Sequence, residues 1–224
     1  MRLVFASNNA HKLAEVRAIM PARVEVLSLH DIGFEQEIAE TGITLEQNSH
    51  IKAEAVYQWL KANSQSPQVD GIFADDTGLE IDALDGQPGV YTARWYLLKG
   101  ERLKVKGKRD AALTDEREIF AANRAKALRL LEGQSNRGAQ FRTVITLIRP
   151  SAISHQPSVE QVSGVVRGRI AIEEYGHGGF GYDPIFIPDG YDKTFGELPS
   201  ELKNTISHRA RALEKLKEKL KSEK

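Results

Sequence analysis

Leu3-Val4-Phe5-Ala6-Ser7-Asn8-Asn9-Ala10-His11-Lys12 joins four apolar residues to a polar, amide-rich stretch. The apolar run reads as a short buried strand, and Asn8 and Asn9 break it. A helix through about Met20 follows, with Leu13, Val16 and Met20 on one face and Pro21 ending it. A second strand over 24–29 gives a β-α-β opening, the start of an α/β fold. Free N–H groups and the positive end of the helix dipole meet at the strand-to-helix junction, beside Ser7 and Asn9. Lys12 lies one turn in, so the junction suits an anion. It is not a Walker loop, because no Gly-x-x-x-x-Gly-Lys-Ser/Thr is present. The plain alternative is a Ser/Asn helix cap with a surface lysine.

Outward from this start, Thr44 with Gln47 three residues on forms a capping-box pattern. It opens a helix whose buried side is marked by Ile51, Ala55 and Trp59. Residues 72–74 read as a strand, and Leu79, Ile81 and Ala83 alternate in a second one. A helix over 114–132 ends at Gly133. Strands over 141–148 and 159–166 follow, then a C-terminal helix from Ser207 with Leu213, Leu216 and Leu220 at helical spacing. No repeat or linker breaks the 224 residues, which predicts one domain with two lobes.

Composition narrows the function. Lys and Arg total 31 and so do Asp and Glu, so the net charge is zero. That lacks the electrostatic footprint of a protein gripping nucleic-acid phosphates. Without cysteine there is no disulfide, thiolate metal site or cysteine nucleophile. The apolar run at 3–6 is too short for a signal-peptide core, and no run could span a bilayer, so a cytoplasmic protein is expected.

Four further segments carry chemistry. Glu40-Thr41-Gly42 precedes the Thr44 cap, where a carboxylate can bind a cation or favour the helix dipole. In Ala74-Asp75-Asp76-Thr77-Gly78-Leu79, two adjacent acids follow an apolar strand, where α/β proteins place ligand-facing residues. Adjacent acids repel, so the pair calls for a divalent cation such as Mg²⁺ or a shared proton; the plain alternative is an Asp-rich turn between strands. Gly178-Gly179-Phe180-Gly181-Tyr182-Asp183-Pro184 offers bare backbone, ring faces and a carboxylate to a flat, polar partner. Lys203-Asn204-Thr205-Ile206-Ser207-His208-Arg209 crowds cationic groups at the start of the last helix, which a nearby anion would explain. The basic run over 99–109 reads as a solvated hairpin or a lid that meets phosphates.

In order along nearly the whole chain, these strings, with Gly86-Gln87-Pro88-Gly89-Val90-Tyr91, resemble the inosine/xanthosine triphosphate pyrophosphatase family. The resemblance implies an elongated, two-lobed α/β fold with a mixed central sheet flanked by helices and the active-site cleft between the lobes. It implies Mg²⁺-dependent cleavage between the α and β phosphates of ITP, dITP and XTP, with Mg²⁺ held at Glu40 and Asp76. Asp76 would be the proton acceptor, with Asp75 as the second candidate. Ser7, Asn8, Asn9, Ala10, His11 and Lys12 would take the triphosphate with Thr77 and Lys203. Phe180, Gly181, Tyr182, Asp183, His208 and Arg209 would read the base. A homodimer is expected, with no nucleic-acid or membrane partner. The segment 96–115 is longer and more basic than the usual family connection. A pyrophosphatase for other modified nucleotides and a non-hydrolysing nucleotide sensor are the rival readings.

Overall fold

The computed structural model describes residues 1–63, 67–97, 115–150 and 156–221. The basic run at 99–109 lies outside the described residues. In chain order the elements are β1 (Arg2–Phe5), α1 (Ala10–Ile19), β2 (Glu25–Leu27), α2 (Leu45–Ala62), β3 (Gly71–Ile81), β4 (Pro88–Gly89) and α3 (Glu116–Leu130). Then come β5 (Gly138–Arg149), β6 (Ser158–Ile170), β7 (Phe186–Pro188), α4 (Ser200–Ile206) and α5 (His208–Lys219). Among the described residues the strands form one sheet in the order β2-β1-β3-β5-β6-β7, with β4 paired to β3. β1 is parallel to β2 and to β3. β4 on β3 and β7 on β6 are antiparallel. The fold is therefore α/β with a mixed sheet flanked by helices, as the sequence predicts.

The helix starts form where the sequence places them. Asn9 caps α1, its Oδ1 accepting from Lys12 N at 2.9 Å. Thr44 caps α2 by accepting from Gln47 N at 3.2 Å. Gln47 Oε1 reaches back to accept from Ile43 N at 2.7 Å, one residue before the cap, so one bare helix-start donor is satisfied and the entering chain is tied to the first turn.

By its packing the chain divides into two compact units, with boundaries inside β3, β5, β6 and α4. The first is Met1–Thr77 with Arg142–Val165 and Asn204–Lys224. Its sheet is covered on both faces. Leu3, Phe5 and Phe73 pack against Val16 of α1 and Leu213 and Leu216 of α5. Val4, Ala6, Ile72 and Ala74 pack against Ala53 and Val56 of α2. The second unit is Gly78–Phe141 with Val166–Lys203. Phe141, Phe186 and Phe195 pack there ring against ring, at 4.8 and 5.4 Å between centroids.

Three sequence expectations change. The two strands expected around residues 72–83 are one strand, β3, which runs through Asp75-Asp76-Thr77-Gly78 without a turn. A strand buried on both faces reads as a nearly continuous apolar run, and the two acids are tolerated because each meets cations. The buried face of α2 is Leu45, Asn48, Ser49, Lys52, Ala53 and Val56, whereas Ile51, Ala55 and Trp59 are only half-buried. The end of the chain is two helices: Lys203 belongs to α4, and Ser207 caps α5 by accepting from Ala210 N at 3.2 Å.

Candidate active site

Successive residues of a strand leave opposite faces of the sheet, and this separates Asp75 from Asp76. Asp76 follows Ile72 and Ala74 onto the α2 face. There Lys52 Nζ donates to Asp76 Oδ1 at 3.2 Å and to Glu40 Oε1 at 2.8 Å. One helical turn before Lys52, the fully buried Asn48 accepts from Gly42 N at 2.8 Å, which ties down the segment carrying Glu40. A Cβ at position 42 would lie 2.6 Å from Asn48 Oδ1, so this approach requires glycine. Asp76 Oδ2 is buried and has no hydrogen-bond partner among the described residues.

The electrostatics of this cluster follow from burial and neighbours. Burial pushes the Asp76 carboxyl above its ordinary range, Lys52 and Lys12 oppose the rise, and Glu40 and Asp75 add to it. Burial works against the Lys52 ammonium, but Asp76, Glu40 and Asp75 together hold it above its usual value.

Asp75 follows Phe73 onto the α1 and α5 face. Its Oδ1 accepts from Lys12 Nζ at 2.8 Å and its Oδ2 from Arg209 Nε at 2.9 Å. Arg209 also pairs with Glu15 and reaches Thr77 Oγ1 at 3.4 Å, and Thr77 shares a 2.7 Å hydrogen bond with Thr143. Burial alone would raise the Asp75 carboxyl, but Lys12, Arg209 and Lys52 hold it far below the ordinary carboxylate range. Burial lowers Lys12 despite Asp75. For Arg209, Asp75 and Glu15 outweigh burial and raise the guanidinium. The expectation of an adjacent pair sharing one cation or proton, and its alternative of a turn, are thus both corrected: the two carboxyl groups leave opposite faces of β3, Asp76 toward Lys52 and Asp75 toward Lys12 and Arg209.

Of the remaining junction residues, Asn9 N donates to Ser7 Oγ at 3.3 Å, while Asn8, Ala10 and His11 are exposed. His208, at the first position of α5, is buried.

In the second unit the glycine-aromatic segment is held from within. Gly179 and Gly181 have φ of 69° and 61°, the left-handed region that glycine enters freely. Asp183 Oδ2 accepts from Phe180 N at 2.8 Å and from Lys203 Nζ at 2.6 Å, and that ammonium sits 4.9 Å over the Phe180 ring. Tyr182 is buried and donates its hydroxyl to Thr92 O at 3.1 Å, and burial pushes the phenol far above its usual value. Arg124 of α3 donates to Gly181 O at 2.9 Å. Tyr182 and Asp183 therefore fix the loop's shape. Gly178 and Gly179 are exposed, and Phe180 and Gly181 half-buried, at its surface.

Lys52, Asn48, Glu15 and Arg124 were not singled out by sequence reasoning. The signal for the first two lay in the second register of α2: Asn48, Lys52 and Val56 share a face with Leu45, Ser49 and Ala53. A lysine and an asparagine on a face otherwise small or apolar mark a buried polar task.

A hard divalent cation fits this donor set. Among the described residues no group of three or more His, Cys, Asp or Glu could hold a metal. Glu40 and Asp76 are two carboxylates, one with an oxygen that has no hydrogen-bond partner. Mg²⁺ is commonly held by one or two carboxylates, with water and phosphate oxygens completing its octahedron. Among the described residues, no helix is long and apolar enough to cross a membrane.

A covered mixed sheet with a buried carboxylate–lysine cluster on one face and a capped strand-to-helix junction after β1 defines the class, an α/β protein. A profile of the Ham1 family matches residues 3–219, and the chain belongs to that family. It is 42% identical over 216 residues to a dITP/XTP pyrophosphatase of Flavobacterium johnsoniae, covering 96% of each chain. It is 40% identical over 218 residues to a dITP/XTP pyrophosphatase of Porphyromonas gingivalis, covering 97% of this chain and 96% of that one. Among solved structures, the Ham1 protein of Staphylococcus aureus superposes with a TM-score of 0.75 at 35% identity, over the whole of both chains.

Proposed function

We propose that this protein is a nucleoside triphosphate pyrophosphatase. It hydrolyses the non-standard purine nucleotides ITP, dITP and XTP to the monophosphate and pyrophosphate, clearing them from the nucleotide pool. Full-length relatives named dITP/XTP pyrophosphatase support the reaction class. The observation that carries the assignment to residues is the Glu40–Lys52–Asp76 cluster, with one buried carboxylate oxygen of Asp76 lacking a hydrogen-bond partner.

In this reading Ser7, Asn8, Asn9, Ala10, His11 and Lys12 bind the triphosphate, with Thr77 and Lys203. Asp76 takes a proton from a water molecule as the water oxygen bonds to the α-phosphorus. The bond from that phosphorus to the bridging oxygen breaks, and the electron pair leaves with pyrophosphate. Lys52 holds Asp76 Oδ1 and Glu40 Oε1 in fixed positions. Mg²⁺, held by Glu40 and Asp76 when bound, would supply positive charge against the phosphate oxygens. Lys12 and the α1 amides face the charge on the departing phosphates.

Base choice rests on the purine 6-position, read by Phe180, Gly181, Tyr182, Asp183, His208 and Arg209. Hypoxanthine and xanthine carry an acceptor there, whereas adenine carries a donor. A site that donates to the carbonyl is left with an unpaired donor when adenine binds. Each such mismatch costs about 1–3 kcal/mol, so two give roughly 10²-fold or more in kcat/KM. Steady-state kinetics with ITP, XTP, GTP and ATP test this reading, and equal kcat/KM across the panel would refute base selection. A homodimer and a cytoplasmic location complete the proposal.

A further inference from the structure

The Asp75 carboxylate lies 2.8 Å from the Lys12 ammonium and 2.9 Å from the Arg209 guanidinium. Arg209 in turn pairs with Glu15, on α1 three residues past Lys12 and therefore on the same face of that helix. Asp75 is 1% exposed. The result is an alternating chain of charge, Lys12–Asp75–Arg209–Glu15, linking β3, α1 and α5 on the sheet face opposite Asp76. Both Asp75 oxygens accept from cations, so neither is placed as Asp76 Oδ2 is, buried and without a partner.

We propose that Asp75 and Glu15 are positioning residues: they hold the Lys12 ammonium and the Arg209 guanidinium in the places from which these two meet the nucleotide. A lysine has several rotatable bonds, and a buried partner that fixes its head removes the need to order that chain when ligand arrives. The guanidinium carries five N–H donors in a rigid fork. Asp75 and Glu15 engage Nε and Nη1, which sets the direction of the whole plane. The inference rests on the proposed triphosphate role of Lys12 and assigns the two adjacent aspartates different duties: Asp76 chemistry, Asp75 placement.

The test is a double-mutant cycle read by binding. The affinity of the non-hydrolysable α,β-methylene analogue of ITP is measured calorimetrically for wild type, Asp75→Asn, Lys12→Met and the double variant. If Asp75 acts through Lys12, Asp75→Asn weakens binding by about tenfold or more in the wild-type background. In the Lys12→Met background it has almost no effect, because contacting residues are non-additive. In turnover the same variant raises KM more than it lowers kcat. Additive losses, or unchanged affinity in a folded Asp75→Asn protein with a lowered melting temperature, would overturn the proposal and leave a purely structural ion pair. Should Asp75→Asn fail to fold, Glu15→Gln cycled against Arg209→Lys reads the same coupling with the same two outcomes. Failure of the functional reading is distinct: wild type would then neither bind the analogue nor release pyrophosphate from ITP.

Discussion

Neighbouring carboxylates at positions 75 and 76 have different chemistry because a strand sends them to different faces. Asp76 finds one lysine and keeps an oxygen without a partner, whereas Asp75 finds a lysine and an arginine. Replacing Asp76 with Asn preserves shape and removes the proton acceptor. The expected loss in kcat is about 10²–10⁴, the usual size for a lost acid–base partner. Pyrophosphate release measured under saturating ITP checks it, and near-wild-type turnover would remove Asp76 from the mechanism. At this scale the sequence showed which residue types were present but not their directions. Asp-Asp-Thr-Gly reads equally as a turn, and only the continuation of β3 to Ile81 makes the acids diverge. Lys52 stayed hidden because a lysine in a helix is ordinarily a solvated one.

Elements meet closely where glycine permits it. A Cβ at Gly164 of β6 would lie 2.1 Å from His208 O and 2.4 Å from Ala212 N, so the start of α5 rests directly on the strand backbone. Gly164→Ala should push α5 outward and destabilise the protein by about 1–3 kcal/mol or more, as overpacking does. Because α5 carries His208 and Arg209, the KM for ITP should also rise. Urea unfolding and steady-state kinetics check the two effects, and an unchanged urea midpoint would show that the contact can relax. Strands, caps and amphipathic spacing of α1 and α5 were legible in the sequence, since each is a local pattern. The register of α2 was not, because the function of Asn48 and Lys52 overrides the apolar rule there.

Across the whole molecule, the buried ions set the response to acid. Asp75 titrates below its ordinary 3.8 in the folded state, so the unfolded chain takes up that proton first. Its contribution is fully present above about pH 4 and is lost as pH falls further. The urea midpoint should therefore hold down to about pH 4 and drop progressively below it, and drop less in Asp75→Asn, which begins from a lower value. Equal slopes in the two proteins would place the acid sensitivity elsewhere. The α/β class was readable from the β-α-β opening, and the mixed sheet from the ordered motifs and the resemblance they carry. The pairing of β4 and β7 was not, since strands of two and three residues leave no periodic trace. The most direct test of the account is hydrolysis of ITP in ¹⁸O-labelled water with Mg²⁺, followed by mass spectrometry of both products. Attack at the α-phosphorus puts the label in the monophosphate and leaves pyrophosphate unlabelled, and the reaction stops without the metal. Label in the pyrophosphate, or release of orthophosphate, would contradict it.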